Sequence, residues 1–169
     1  MFLRACILCA FSSFLFGWHV HEKAILMIVI PFTPLALIST LNARLFLLLS
    51  TAGTFSLFPL LIETAETPTK ICVLISYTVY AYAGLNEIHL QRRSTTKLGS
   101  KSPPLLRTFE LLYILGLGLL QFQYSIGNQL LGLDIRLPFL PLLLISLYTS
   151  LAVIYSWLRF YRESLDSVF

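Results

Sequence analysis

Long apolar runs, each broken off by a short polar segment, constrain this chain more than any other feature. Six stand out, at residues 2–18, 24–41, 45–62, 71–85, 105–124 and 137–157. Several reach about 18 to 21 residues, the length that carries an α-helix across the hydrocarbon core of a bilayer. In lipid, each backbone amide and carbonyl must be satisfied inside its own segment, so such runs predict helices. Composition points the same way: 57% of the residues are hydrophobic and 12% charged, about half the charge of a soluble domain. The expected fold class is all-α, a polytopic helical membrane protein with about six transmembrane segments. The first run has "MFLR" as a basic front, as a signal peptide would. No A-x-A-like cleavage site follows it, which favours the trailing part of a transmembrane helix and leaves Met1 doubtful as a true start.

Charge sets the expected orientation. The net charge of +4 does not indicate nucleic-acid binding, because the basic residues gather between apolar runs. The largest polar loop, residues 86–104, holds Arg92, Arg93, Lys97 and Lys101, with Arg107 just beyond. Placing it in the cytosol and alternating outward puts Arg4, Arg44, Arg159 and Arg162 on the same side. Nine of the twelve basic residues then face inward, against Lys23, Lys70 and Arg136. The segments "WHVHEK" and "ETAETPTK" accordingly face the lumen or exterior.

Within the runs, Pro31 and Pro34 are expected to kink the second helix. "STAGT" (residues 50–54), "AYAG" (residues 81–84) and the Gly116/Gly118 pair offer small residues for close helix packing. Trp18, Tyr124 and Trp157 suit an interfacial aromatic belt. Cys6, Cys9 and Cys72 read as buried, unreactive thiols. Glu110 is expected to pair with Arg107, three residues earlier. Glu63 and Glu66 read as solvated surface near a turn ended by Pro68. His89 falls in the basic loop without an evident partner, and residues 86–104 are the one linker-like segment.

One polar segment stands apart. "FGWHVHEKAILM" (residues 16–27) sets His19, His21, Glu22 and Lys23 between two apolar runs. A short interfacial loop must be polar somewhere, and Glu22 beside a helix start would favour its dipole. Zinc would need a third ligand, and no second His/Cys cluster offers one, so no metal site is expected. A proton relay would need acids continuing through the spans, and none do. Histidine and lysine beside a helix N-terminus also suit an anion, such as the phosphate of a lipid or polyprenyl phosphate. From the residues alone, a polar turn and an anion-holding loop both stand.

"SSFLFGWHVHEKAILMIVIPF" closely resembles a segment of the endoplasmic-reticulum α-1,3-glucosyltransferases, which use dolichyl-phosphate glucose to glucosylate the lipid-linked precursor of N-glycans. "FSLFPLLIETAETPTKI" (residues 55–71) is similar to the segment that follows there and inclines towards the member adding the second glucose. "PFLPLLLISLYTSLAVIYSW" (residues 138–157) resembles the last membrane helix. The resemblance implies a GT-C fold, a lumenal active site, an endoplasmic-reticulum membrane location and metal-independent, cofactor-free chemistry. It implies inverting transfer, in which an acceptor hydroxyl displaces dolichyl phosphate and the β-linked glucose becomes α-linked. The implied partners are dolichyl-phosphate glucose, a dolichyl-diphosphate-linked oligosaccharide acceptor and membrane lipids, with no nucleic acid.

His21 and Lys23 lie in the family's His-Glu-Lys element and are expected to face the leaving phosphate. Glu22 would position one of them or contact sugar hydroxyls, and Trp18 and His19 would shape the pocket, with sugar stacking on Trp18. The family's catalytic aspartate lies in a lumenal loop of the half preceding this stretch, and no residue here matches it. Residues 1–169 are therefore expected to be the C-terminal transmembrane portion of a longer transferase, inactive alone. The alternative is a small non-enzymatic membrane subunit or scaffold that binds a lipid phosphate or partner helices.

Overall fold

The computed structural model describes residues 2–60, 67–94, 104–123 and 139–166, and these contain helices and no strand. Six α-helices among them correspond one to one with the six apolar runs. They are α1 (Phe2–Phe16), α2 (Leu26–Ala36), α3 (Thr40–Ser56), α4 (Thr67–Ser94), α5 (Thr108–Phe122) and α6 (Leu140–Asp166). Short 3-10 turns at Glu22–Ile25 and Phe58–Leu60 precede α2 and follow α3. Among the described residues, α4 and α6 are long and apolar enough to cross a membrane, and α1 and α5 are shorter apolar helices. Glu63, Glu66, Tyr124 and Arg136, with their expected roles, lie outside the described residues, as do Lys97 and Lys101.

Side-chain contacts show that successive helices run in opposite directions. Arg4 at the start of α1 meets Glu163 near the end of α6, at 3.5 Å. Arg44 near the start of α3 meets Glu110 near the start of α5, while Phe55 joins Leu117 and Ile145 at their other ends. Thr51 and Thr78 hydroxyls stand 3.5 Å apart where α3 passes α4. The start of α1, the α2–α3 turn, the end of α4, the start of α5 and the end of α6 therefore share one end of the bundle. Arg4, Arg44, Arg92, Arg107 and Arg159 all lie there. The polar segment at residues 17–25 and the starts of α4 and α6 lie at the other end.

The core is built around α3. Twelve of its residues are buried, on every side, from Asn42 and Ala43 through Leu45 to Gly53 and on to Phe55. A helix apolar around its whole circumference belongs in the middle of a bundle. Small residues permit this. Ser50, Thr51, Ala52 and Gly53 are buried, and a Cβ on Gly53 would stand 3.0 Å from Ile25 Cγ1. In "AYAG", Ala81 packs against the core, whereas nothing lies within 4 Å of a Cβ at Gly84. Phe160 of α6 anchors the opposite side, with ring centroids 4.9 Å from Phe32 and 6.4 Å from Phe11.

Several expectations need correction. The second run ends at Ala36, with Pro31 and Pro34 inside its helix. The chain then turns, and Ser39 caps α3 by accepting from Leu41 N at 3.3 Å. Residues 86–94 form the last turns of α4 rather than a linker. His89 is buried there, its Nε2 donating to Ala36 O at 2.9 Å, and Arg92 donates to Ile38 O at 2.7 Å. The two side chains satisfy carbonyls that the end of α2 leaves without partners. Glu110 binds Arg44 rather than the Arg107 side chain. Cys6, Cys9 and Cys72 are free and exposed, on outward helix faces. Trp157 lies well inside α6, packed between Phe16 and Tyr161, rather than at a helix end.

A reciprocal clasp ties α5 to α6. Tyr113 OH donates to Tyr148 O at 2.9 Å, Tyr148 OH donates to Tyr113 O at 3.0 Å, and the rings stack at 4.6 Å. Gly116 makes room for it, because a Cβ there would collide with the Tyr148 hydroxyl, whereas Gly118 faces open space. Gly116→Val is expected to cost about 1–3 kcal/mol through overpacking. Gly118→Ala should cost nothing, and thermal unfolding of the two variants in detergent would show the difference.

Candidate functional site

Gly17 ends α1 and starts the polar segment. Its N–H donates to Ser13 O at 3.0 Å, and a Cβ there would lie 2.5 Å from Ser13 O and 2.6 Å from Val20 Cγ2. Glycine alone allows the chain to leave the helix this tightly. His21 then caps the 3-10 turn: its backbone is extended (φ −73°, ψ 141°), its carbonyl accepts from Ala24 N at 2.8 Å, and its Nδ1 accepts from Lys23 N at 3.4 Å. His21, not Glu22 or Lys23, is therefore the cap of this turn.

The candidate residues are displayed rather than enclosed. Trp18 is 94% exposed, its ring 6.2 Å from that of His19. His21 Nδ1 stands 3.7 Å from Glu22 Oε2, with both side chains more than half exposed. Ile25 is the buried anchor of the turn, seated against Gly53. The five residues thus form one exposed polar edge on a fixed base. No group of three His, Cys, Asp or Glu suited to a metal occurs among the described residues.

Beside this edge lies a feature that no local pattern announces. A cavity of about 670 Å³ opens between α1, α3 and α6, lined among others by Phe14, Ala52, Leu142 and Val153. Glu22 is the one charged side chain on its wall among the described residues, and the one member of the polar edge that reaches it. The volume suits a small-molecule or lipid segment. Its hydroxyls are largely spent as donors. Ser56 donates to Gly53 O at 2.7 Å, Thr149 to Ile145 O at 2.9 Å and Ser150 to Leu147 O at 2.8 Å. Among the described residues the wall therefore offers hydrocarbon contact and acceptor lone pairs, and no cation. A phosphate would find no cation among these residues, whereas a hydrocarbon chain or a donating sugar hydroxyl would find partners. Positive charge is available just outside, at Lys23, with the His21 ring beside it.

A second polar cluster lies at the far end of the bundle. Glu110 is fully buried. Its carboxylate accepts from Arg44 through both oxygens (Nε to Oε2, 3.0 Å), from Arg107 N at 2.8 Å and from Tyr155 OH at 3.4 Å. The bidentate fork ties α3, α5 and α6 together. Sequence spacing favoured the wrong arginine because the true partner is distant in the chain.

The model of the ALG6, ALG8 glycosyltransferase family matches residues 1–160. The chain is 40% identical over 160 residues to the cattle protein named dolichyl pyrophosphate Glc1Man9GlcNAc2 alpha-1,3-glucosyltransferase, covering 95% of this chain and 28% of that one. It is 41% identical to a fruit-fly protein (Drosophila melanogaster) carrying that name as probable, covering 98% and 30%. The Arabidopsis thaliana relative of the same name is 37% identical, covering 90% and 30%. The chain spans less than a third of the length of these curated relatives. No solved structure matches it.

Proposed function

Because the chain belongs to the ALG6, ALG8 glycosyltransferase family, we propose that it is the C-terminal transmembrane portion of a dolichyl-phosphate-glucose α-1,3-glucosyltransferase. The longer enzyme is a GT-C type multi-pass protein of the endoplasmic-reticulum membrane, and it adds glucose to the lipid-linked N-glycan precursor. The acceptor is the dolichyl-pyrophosphate-linked Glc1Man9GlcNAc2 oligosaccharide that the relatives' names specify. The basic end of the bundle faces the cytosol and the polar edge faces the lumen, as the distribution of arginines favours.

The observation that supports the reading is the cavity's wall, largely apolar and without a cation among the described residues, with the edge that holds His21 and Lys23 directly beside it. That division suits an amphipathic polyprenyl phosphate, whose chain takes the apolar space while its phosphate stays outside with His21 and Lys23. In the reaction the acceptor hydroxyl attacks C1 of glucose, the C1–O bond to phosphate breaks, and dolichyl phosphate leaves with the electron pair. Lys23 and His21 oppose the negative charge gathering on that oxygen. Glu22 orients His21 from 3.7 Å, and Trp18 and His19 border the sugar. We assign no catalytic base among these residues.

Loss of the gene product should leave cells with Glc1Man9GlcNAc2 on dolichyl pyrophosphate, read by chromatography of released lipid-linked oligosaccharides. Accumulation of the unglucosylated Man9 species would instead assign the first glucose, and a normal profile would leave the non-enzymatic subunit as the better reading.

A further inference from the structure

Arg4, Arg44, Arg92, Arg107, Arg159 and Arg162 share the end of the bundle opposite the polar edge, and among the described residues Arg107 and Arg159 are in no ion pair with a carboxylate. Arg44 takes both oxygens of Glu110, and Arg4 takes Glu163 at 3.5 Å. Arg92 donates to Ile38 O. Arg107 contributes its backbone N–H to Glu110, but its guanidinium contacts no acid among the described residues. Arg159 follows Tyr155 by one helical turn on α6, and its Nε is buried with no hydrogen-bond partner, as is Oε2 of Glu163 one turn further on, whose other oxygen meets Arg4. A buried, charged donor left unpaired is costly, so an acceptor is called for.

Both guanidiniums border the same place. Tyr155 OH reaches Glu110, which holds Arg107 N, and Arg159 is one turn along α6 from Tyr155. The Phe109 ring stands edge-on to Tyr155 at 5.8 Å and is 48% exposed. From there, exposed apolar side chains run away from the charged end, Leu112 and Leu115 on α5 with Leu151 and Leu147 on α6. Two guanidiniums at the head of an apolar strip match an anionic head on hydrocarbon tails better than a free ion.

We propose that Arg107 and Arg159 bind the phosphate of an anionic glycerophospholipid, whose acyl chains lie along α5 and α6. This site is separate from the sugar-transfer edge. It depends on the membrane placement above and not on glucosyl transfer. The test uses the chain in nanodiscs of phosphatidylcholine, with or without one-fifth phosphatidylinositol. Phosphatidylinositol is expected to raise the unfolding midpoint by about 2–4 °C and to remain bound in native mass spectrometry. The paired change Arg107→Gln, Arg159→Gln should abolish both effects, while Arg162→Gln, an exposed residue on the same helix, should keep them. The same stabilisation in the paired variant would overturn the proposal. So would an equal shift from millimolar inorganic phosphate, or a loss of stability by the paired variant that is just as large in pure phosphatidylcholine, which would point to a carboxylate of the protein as partner. A chain that stays dispersed without lipid or detergent would overturn the membrane placement as well.

Discussion

Arg44→Ala is expected to destabilise the bundle by about 3–5 kcal/mol, because it strands a fully buried carboxylate. Glu110 would keep only Arg107 N at 2.8 Å and Tyr155 OH at 3.4 Å, too little to replace a bidentate guanidinium. The converse change should cost less. The Arg44 side chain is 12% exposed at a charged end of the bundle, so after Glu110→Ala it can turn towards solvent on its flexible stem. Arg44→Lys should fall between, since a lysine cannot make two parallel bonds. The paired change Arg44→Met, Glu110→Leu should recover much of the loss by removing both charges together. Thermal unfolding and the yield of monodisperse protein in detergent would measure all four. If the pair proved as damaging as Arg44→Ala alone, stranded charge would not be the cause.

His21→Ala in the complete transferase should lower kcat for glucose transfer by about 100- to 1000-fold, the usual loss when one donor to a developing oxyanion is removed. Folding should be spared. The His21 side chain is 68% exposed, and its one hydrogen bond, to Lys23 N, is long at 3.4 Å. Lys23→Ala should cost a similar factor, with part of the rate returned by Lys23→Arg, since charge at that point matters more than shape. Transfer of labelled glucose from dolichyl-phosphate glucose, with unfolding midpoints in parallel, separates activity from stability. Unchanged turnover in His21→Ala at normal abundance would remove it from the phosphate side of the site.

The six helices among the described residues were legible in the sequence because a long apolar run has few other ways to satisfy its backbone away from water. Bounds were less legible. α4 runs on through "NEIHLQRRS" because Leu85 and His89, four residues apart, share a buried face, a pattern that composition hides beneath its charges. The partner of Glu110 was missed because local spacing always offers a neighbour, while Arg44 becomes adjacent only when α3 and α5 pack side by side. The cysteines were misjudged for a related reason. Burial inside a protein and burial against an apolar exterior look alike in hydropathy, and all three thiols point outward. The polar edge is one contiguous stretch and so stands out in the sequence, but the cavity beside it draws its walls from three helices and has no linear signature.

The central position of α3 divides the chain's vulnerabilities in two. A residue there touches neighbours on every side, so a change acts first on how many molecules survive quality control in the cell. Under the proposed function, a change in the exposed edge at residues 18–23 leaves copy number alone and acts on glucose transfer itself. Two inherited variants with the same deficient sugar pattern would thus call for opposite remedies. Chemical chaperones have something to rescue in the first case and nothing in the second.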